Sequence, residues 1–285
     1  MEVIRKIADL RAMCDAARTE GETVGLVPTM GAFHDGHGSL LRRCRAERDL
    51  AIVSVFVNPT QFDDPRDFVT YPHDEERDLQ EAERLSIDLA FAPSAEEMYP
   101  PGVAEDRITV DPGPLGDRFD GASRPGHFRG VLTVVAKLFH ATGRCHAYFG
   151  EKDAQQLFLI RRMARELHFP AEIVPCPTVR EPDGLAVSSR NRRLTPEQRA
   201  AAGCLFLALA EATQLAKGGE RDAATLVAVM AREIGATPQA RLDHAVVVDE
   251  ATFVEIRTIE RPARALVAAR FGDVRLIDNL LLPMP

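Results

Sequence analysis

The strongest constraint on the fold is an alternation of short apolar runs with helical patterns through the first 175 residues. The run at 50–57 is almost continuously apolar and rich in β-branched side chains, as a central strand of a parallel sheet is. Shorter runs occur at 24–27, 87–91, 146–149 and 171–174, and the segments between them have helical spacing. Strands that alternate with helices usually lie parallel, so the sequence predicts an α/β fold with a doubly wound parallel sheet.

A different pattern follows the fifth strand. Thr195 is a candidate N-cap, with Pro196 at the first helical position and Gln198 at the position that completes a capping box. The elements predicted beyond this point are helices over 195–217 and 223–234 and strands over 242–249, 265–269 and 275–278. We therefore expect two domains, a larger one over 1–177 and a smaller α+β domain over 178–285.

Charge and composition exclude several classes of protein. The formal net charge of −8 and the pI near 5.6 argue against a nucleic-acid partner. No apolar run approaches the eighteen or so residues that span a bilayer, and residues 1–6 lack the apolar core of a signal peptide. The five cysteines are scattered and include no C-x-x-C pair. The sequence thus predicts a cytoplasmic protein without a membrane partner.

The segment at 28–37, PTMGAFHDGH, joins the first of these apolar runs to a helical pattern. Ligands of open α/β sheets bind beyond the carboxyl ends of strands, and a helix N-terminus there favours a phosphate. His34 and His37 are three residues apart, so both rings share one helical face. A zinc half-site is the alternative, but Cys44 is seven residues away and no third ligand has zinc-like spacing. The segment therefore predicts an anion site.

Three other segments carry polar side chains at strand ends or near the domain boundary. Asn58 and Gln61 offer neutral amides suited to a substrate with hydroxyl and carboxylate groups, although an Asn-Pro turn is the simpler interpretation. The segment 150–156, GEKDAQQ, offers a lysine to phosphate, or a capping aspartate beside a solvated lysine. The segment 188–193, SSRNRR, provides either a phosphate clamp or a solvated basic patch. A fourth segment, 123–130, is a polar loop before a helix and is suited either to binding an anion or to a purely structural role.

Together these motifs resemble the pantothenate synthetases, a family of the nucleotidyltransferase superfamily that carries the HIGH signature. The matching segments, in order, are 28–37, 56–62, 121–130, 149–153 with Gln155 and Gln156, and 183–191, followed by 272–279 near the end. Five motifs in the family's order make the resemblance highly specific. The sequence departs from the family pattern mildly, with Phe33 where leucine is usual, Ala154 where an aromatic residue often stands, and Val187 where methionine is common.

The resemblance implies a ligase. It implies ATP-dependent condensation of pantoate with β-alanine through a pantoyl adenylate, giving pantothenate, AMP and pyrophosphate. It further implies Mg²⁺ carried with ATP, a Rossmann-like domain with a C-terminal lid, and a homodimer.

The resemblance also assigns residues. His37 is the implied proton donor, and His34 and Lys152 complete the catalytic set. The residues that line the ATP site by resemblance are Met30, Gly31, Ala32, Phe33, His34, Asp35, Gly36, His37, Gly150, Glu151, Lys152, Asp153, Val179, Val187, Ser188, Ser189 and Arg190. Gln61 and Gln156 are implied to hold pantoate, and Asn58 is grouped with them as substrate-binding.

Two other functions remain open from the residues alone. An adenylyltransferase with a phosphorylated acceptor would share His34 and His37, but it would require a denser basic pocket than the amides of Asn58 and Gln61 supply. A non-catalytic nucleotide sensor would bind ATP without releasing pyrophosphate and would have no use for the amide pair.

Overall fold

The computed structural model describes residues 1–62, 68–69, 71–100 and 107–283. The chain divides into two compact units. The first comprises Met1–Glu151 and Gln155–Pro177, and the second comprises Lys152–Ala154 and Thr178–Pro285. The short segment Lys152–Ala154 is therefore grouped with the second unit, although its neighbours in the chain belong to the first.

A parallel sheet forms the centre of the first unit. Its strands in the described part of the chain are β1 (Glu2–Ile4), β2 (Val24–Thr29), β3 (Leu50–Val55), β4 (Leu89–Phe91), β5 (Cys145–Gly150) and β6 (Ala171–Cys176). The order is β1-β4-β3-β2-β5-β6, and every pairing is parallel. The chain proceeds from β2 outward through β3 and β4, then returns to the other side of β2 with β5. This reversal places the expected ligand crevice at the carboxyl ends of β2 and β5.

Helices cover both faces of this sheet. They are α1 (Ile7–Thr19), α2 (Asp35–Glu47), α3 (Glu75–Arg84), α4 (Ala95–Met98), α5 (Asp120–Ser123), α6 (His127–Thr142) and α7 (Ala154–Glu166), with 3₁₀ turns at Pro59–Gln61 and Gly113–Asp117. Adjacent strand residues separate the two cores: Leu26 packs with α1, α6 and α7, whereas Val27 packs with α2 and α3. Each fully buried leucine contributes about 1.5–3 kcal/mol. The doubly wound α/β prediction is confirmed.

The second unit contains an antiparallel sheet of β7 (Arg241–Asp249), β8 (Ala263–Phe271) and β9 (Val274–Leu282), in that order within the described residues. Its helices are α8 (Pro196–Ala201), α9 (Cys204–Lys217) and α10 (Ala223–Gly235), with a 3₁₀ turn at Ser189–Arg193. Alternate residues of β8 and β9 pack against α9 and α10 in one apolar core. The predicted α+β character of this region is therefore confirmed.

The structure differs from the sequence-based elements in several places, and the strand predicted over 87–91 begins only at Leu89. The predicted helix over 195–217 is two helices, because the chain turns at Ala202 and Gly203, and glycine is a weak helix former. The strand predicted over 50–57 ends at Val55, and β1 and α1 were not predicted. The capping box of Thr195 and Gln198 is present as expected.

Each of the five cysteines, all within the described residues, is a buried free thiol. Burial raises the pKa of Cys14 and Cys44 to about 12. They behave as small apolar side chains rather than as nucleophiles. Among the described residues, no helix has the length and apolar character needed to cross a bilayer.

Candidate active site

The turn between β2 and α2 has a backbone shape that depends on glycine. Gly31 has a φ of +78° and Ala32 a φ of +52°, both in the left-handed region. A Cβ atom on Gly31 would lie 2.6 Å from Oδ2 of Asp78 and 3.4 Å from Cγ1 of Val55. Glycine at this position therefore satisfies both the dihedral angle and the close contact.

Asp78 on α3 fixes this turn. Its side chain accepts hydrogen bonds from the backbone N–H groups of Ala32 and Phe33, at 2.7 Å each, and the residue is 2% exposed. Burial raises the pKa of the Asp78 carboxyl above its ordinary value, and the two N–H donors offset part of that rise. Sequence reasoning missed Asp78. The available signal was its position four residues before Ala82, on the buried face of a charged helix.

The two histidines lie at the first turn of α2, as their spacing predicts. His34 is the N-cap of α2, and its Nδ1 accepts a hydrogen bond from the N–H of Gly36 at 3.1 Å. This assigns the proton of the neutral His34 ring to Nε2. The rings of His34 and His37 stack with centroids 4.1 Å apart and planes 23° apart, and the ring of Phe33 lies 5.5 Å from His37.

Asn58 follows β3 and is 1% exposed. Its Nδ2 donates to Oε1 of Gln61 at 3.1 Å and to the carbonyl of Gly130 at 3.2 Å. Its Oδ1 accepts from the hydroxyl of Tyr99 at 2.8 Å and from the hydroxyl of Thr60 at 2.9 Å. Both ends of the amide are thus engaged by protein groups. Asn58 holds the turn that carries Gln61, and its direct contact with substrate stays a prediction.

Gln61 meets Met30 in the first unit, although 31 residues separate them in sequence. The Nε2 atom of Gln61 lies 2.7 Å from Sδ of Met30. The backbone carbonyl of Gln61 lies 2.7 Å from Nδ1 of His127 and accepts from Arg124 at 3.3 Å. The structure thus joins two of the predicted motifs, one after β2 and one after β3.

The segment 123–130 supports the Gln61 turn. A Cβ atom on Gly130 would lie 2.2 Å from the carbonyl oxygen of Thr60, so the backbone of α6 touches the 3₁₀ turn directly. Together with the contacts of His127 and Arg124, this gives the segment a structural role, while its contact with an anion stays a prediction.

Gly150 is the last residue of β5, next to β2 in the sheet, and the N–H of Glu151 donates to the carbonyl of Cys176 at 2.8 Å. In the following helix, Gln155 is 2% exposed and its amide bonds the backbone of Leu115, Arg118 and Asp120. Gln155 therefore orders the 3₁₀ turn and α5. The next residue, Gln156, is half-buried and remains the predicted substrate residue.

In the second unit, Lys152 and Asp153 follow the end of β5. The Nζ atom of Lys152 lies 3.6 Å from Oδ1 of Asp153, and the lysine side chain is 17% exposed. The backbone carbonyl of Lys152 accepts a hydrogen bond from Nδ2 of Asn279 at 2.9 Å. The predicted phosphate-binding lysine is therefore anchored through its backbone.

The remaining predicted ATP residues form one continuous local structure in the second unit. The N–H of Val187 donates to the carbonyl of Val179 at 2.9 Å, which closes a small hairpin. Ser188 then caps the 3₁₀ turn, its hydroxyl accepting from the N–H of Arg190 at 3.3 Å. Ser188, Ser189 and Arg190 thus lie together at the start of one turn.

Comparisons with known proteins agree with this arrangement. The family model for pantoate-beta-alanine ligase matches residues 2–281. The chain is 52% identical to the pantothenate synthetase of Rubrobacter xylanophilus, over 99% of this chain and 98% of that protein, and 51% identical to that of Roseiflexus sp., over 99% of each.

Solved structures agree as well. A pantothenate synthetase from Thermus thermophilus aligns with a TM-score of 0.90 at 45% identity, covering 98% of this chain and 99% of that one. A pantoate-beta-alanine ligase from Francisella tularensis, described as complexed with beta-gamma ATP and beta-alanine, aligns with a TM-score of 0.79 at 34% identity, covering 99% and 97%. The chain therefore belongs to the pantoate–β-alanine ligase family.

Proposed function

We propose that this chain catalyses the ATP-dependent condensation of pantoate with β-alanine through a pantoyl adenylate, releasing AMP and pyrophosphate. Family membership supports this reaction. The observation that carries it is the stacked pair His34 and His37 at the N-terminus of α2, beside the topological switch point of the sheet. A helix N-terminus with two imidazole rings is suited to the phosphates of ATP.

In the first proposed step, a carboxylate oxygen of pantoate attacks the α-phosphorus of ATP. A new P–O bond forms while the bond to the β-phosphate oxygen breaks, and the electron pair leaves with pyrophosphate. Negative charge grows on the phosphoryl oxygens, so the step requires fixed donors. The candidate donors are His34, His37, Lys152, Ser188, Ser189 and Arg190.

In the second proposed step, the neutral amine of β-alanine attacks the acyl carbon of the adenylate. The C–N bond forms, the C–O bond to AMP breaks, and the amine loses a proton. The adenylate is prone to hydrolysis, so its site must exclude water between the two steps. We propose that the C-terminal domain predicted over 178–285 acts as a lid for this purpose.

Mg²⁺ belongs to the proposal as part of the MgATP substrate. Among the described residues, no group of three or more His, Cys, Asp or Glu side chains is placed to hold a metal ion. Because Mg²⁺ commonly binds through substrate phosphates, we assign it no protein ligands here. We also propose a homodimer, which the family resemblance implies, and a cytoplasmic location, which five unpaired thiols favour.

Replacing Gln61 by alanine should raise the KM for pantoate at least tenfold, with less than a threefold change in the KM for ATP. The reason is that the family resemblance assigns Gln61 to pantoate rather than to ATP, and its buried amide is held in place by Asn58 and lies against Met30. Steady-state kinetics with each substrate varied in turn will measure both constants.

The matched control is Gln80→Ala on the exposed side of α3, which should leave both constants unchanged. Equal increases in the two KM values for Gln61→Ala would contradict the assignment of Gln61 to pantoate.

Exchange of labelled pyrophosphate into ATP tests the proposed function directly. With Mg²⁺ and pantoate present and β-alanine absent, we expect exchange, because the adenylate forms reversibly. Adding β-alanine should then divert the adenylate to AMP and pantothenate. Absence of exchange with ATP binding intact would favour an adenylyltransferase with another acceptor. Absence of pyrophosphate release with any acceptor would indicate a nucleotide sensor.

A further inference from the structure

Two adjacent polar residues interrupt the last strand of the chain. Asp278 and Asn279 in β9 are 3% and 4% exposed. Neighbouring residues of a strand point to opposite faces, so the two side chains serve different contacts. A buried carboxylate or amide is retained only where hydrogen bonds compensate for the loss of water. The burial of Asp278 and of Asn279 is therefore accounted for by their hydrogen-bond partners.

The amide of Asn279 links Arg264 to Lys152. Its Oδ1 accepts from Nη1 of Arg264, and its Nδ2 donates to the backbone carbonyl of Lys152 at 2.9 Å. Arg264 is itself held by Glu250 through two hydrogen bonds of 2.8 and 3.0 Å. Since a guanidinium only donates, the oxygen of the Asn279 amide must face Arg264, and its NH₂ group must face Lys152. These two hydrogen-bond partners therefore fix the orientation of the Asn279 amide.

Asp278, on the other face of β9, holds the second segment in a similar way. Its carboxylate accepts two hydrogen bonds from Arg180, at 2.6 and 2.9 Å, and Arg180 also donates to the carbonyl of Gly184 at 2.9 Å. Arg180 and Gly184 lie within the hairpin that Val179 and Val187 close. One dipeptide therefore holds both segments of the second unit that carry predicted ATP residues.

We propose that Asn279 is a positioning residue for Lys152. The proposal rests on the proposed function, in which Lys152 holds a phosphate of ATP. A flexible lysine reaches a phosphate reproducibly only if its backbone is fixed, and a misplacement of about 1 Å can reduce a rate about 10²-fold. The hydrogen bond from Asn279 fixes the carbonyl of Lys152, and the pair of Arg264 and Glu250 fixes Asn279.

A double-mutant cycle with ATP affinity as its readout tests this proposal. Asn279→Asp preserves the shape of the side chain and its acceptor for Arg264, but it turns an oxygen toward the carbonyl of Lys152. We expect the Kd for MgATP, measured by isothermal titration calorimetry, to rise about 3–10-fold in the otherwise unchanged protein. In a Lys152→Ala background the same substitution should change the Kd less than twofold, because the side chain it positions is absent.

A purely structural role would give a different result. Equal increases in Kd in both backgrounds, or no increase in either, would overturn the proposal. Asn279→Ala, taken through the same cycle, removes the donor without adding a charge, and thermal melting identifies any variant that does not fold. Leu281→Ala, exposed on the same strand, is the control.

The proposed function is tested separately within this experiment. Pyrophosphate exchange by the unchanged protein and weaker MgATP binding by Lys152→Ala bear on the reaction and on the role of Lys152 alone. If both are found and Asn279→Asp binds MgATP normally, only the positioning role fails. If Lys152→Ala binds MgATP normally, both the role of Lys152 and the proposal about Asn279 fail.

Discussion

Replacing His37 by alanine is expected to lower kcat at least tenfold, with a decrease of about 10²–10³-fold if its ring is a fully effective donor. The ring stacks on His34 at the N-terminus of α2, where charge on a phosphoryl oxygen would be stabilised. A donor that acts mainly on the transition state lowers kcat more than it raises KM. The KM for ATP should therefore change less than threefold.

Kinetics of pantothenate formation will measure this effect, and circular dichroism with thermal melting will show whether the fold is retained. His140→Ala, at an exposed position near the end of α6, is the matched control and should keep its activity. Unchanged turnover of the His37→Ala protein would remove His37 from the catalytic set.

Much of the fold is readable from the sequence because the parallel sheet is buried on both faces. A strand such as β3 is covered by helices on both faces, so its sequence is a continuous apolar run, a pattern that differs from that of surface elements. β1 has only three residues and, within the described part of the chain, one neighbouring strand, β4, so it gives no comparable signal. Helix α1 was available in principle, because Leu10, Cys14 and Ala17 repeat at helical spacing.

Some features of the candidate site also follow from local sequence spacing, whereas others depend on residues that are distant in sequence. The stacking of His34 and His37 follows from their spacing, since residues three apart share a helical face. Their support comes from Asp78, more than forty residues along the chain, and no local pattern connects the two. Likewise, spacing places Gln155 and Gln156 on one helix, but only the packed structure shows which amide is consumed by backbone contacts.

Replacing Asp78 by alanine is the second change expected to have a large effect. It would leave two buried backbone N–H groups, those of Ala32 and Phe33, without their acceptor. At about 1–3 kcal/mol for each unsatisfied group, the free energy of unfolding should fall by about 2–6 kcal/mol. Urea unfolding will measure this loss. A change below about 1 kcal/mol, the lower bound for a single unsatisfied group, would show that the turn does not depend on Asp78.

Asp78→Asn removes the ionisable carboxyl but keeps the shape of the side chain. Comparing the stability of this variant with that of the wild type at several pH values therefore isolates the contribution of the carboxyl. Burial raises the pKa of Asp78 in the folded state above its value in the unfolded chain. Between those two pKa values the folded protein binds more protons, so this group's contribution to stability falls as pH rises. The stability of the wild type minus that of Asp78→Asn should thus be larger near pH 4 than at pH 7, whereas the exposed control Asp117→Asn should lack this trend. Melting temperatures of both proteins across that pH range measure the difference in stability. A difference that grows with pH would mean that the two N–H donors lower the pKa of Asp78 more than burial raises it.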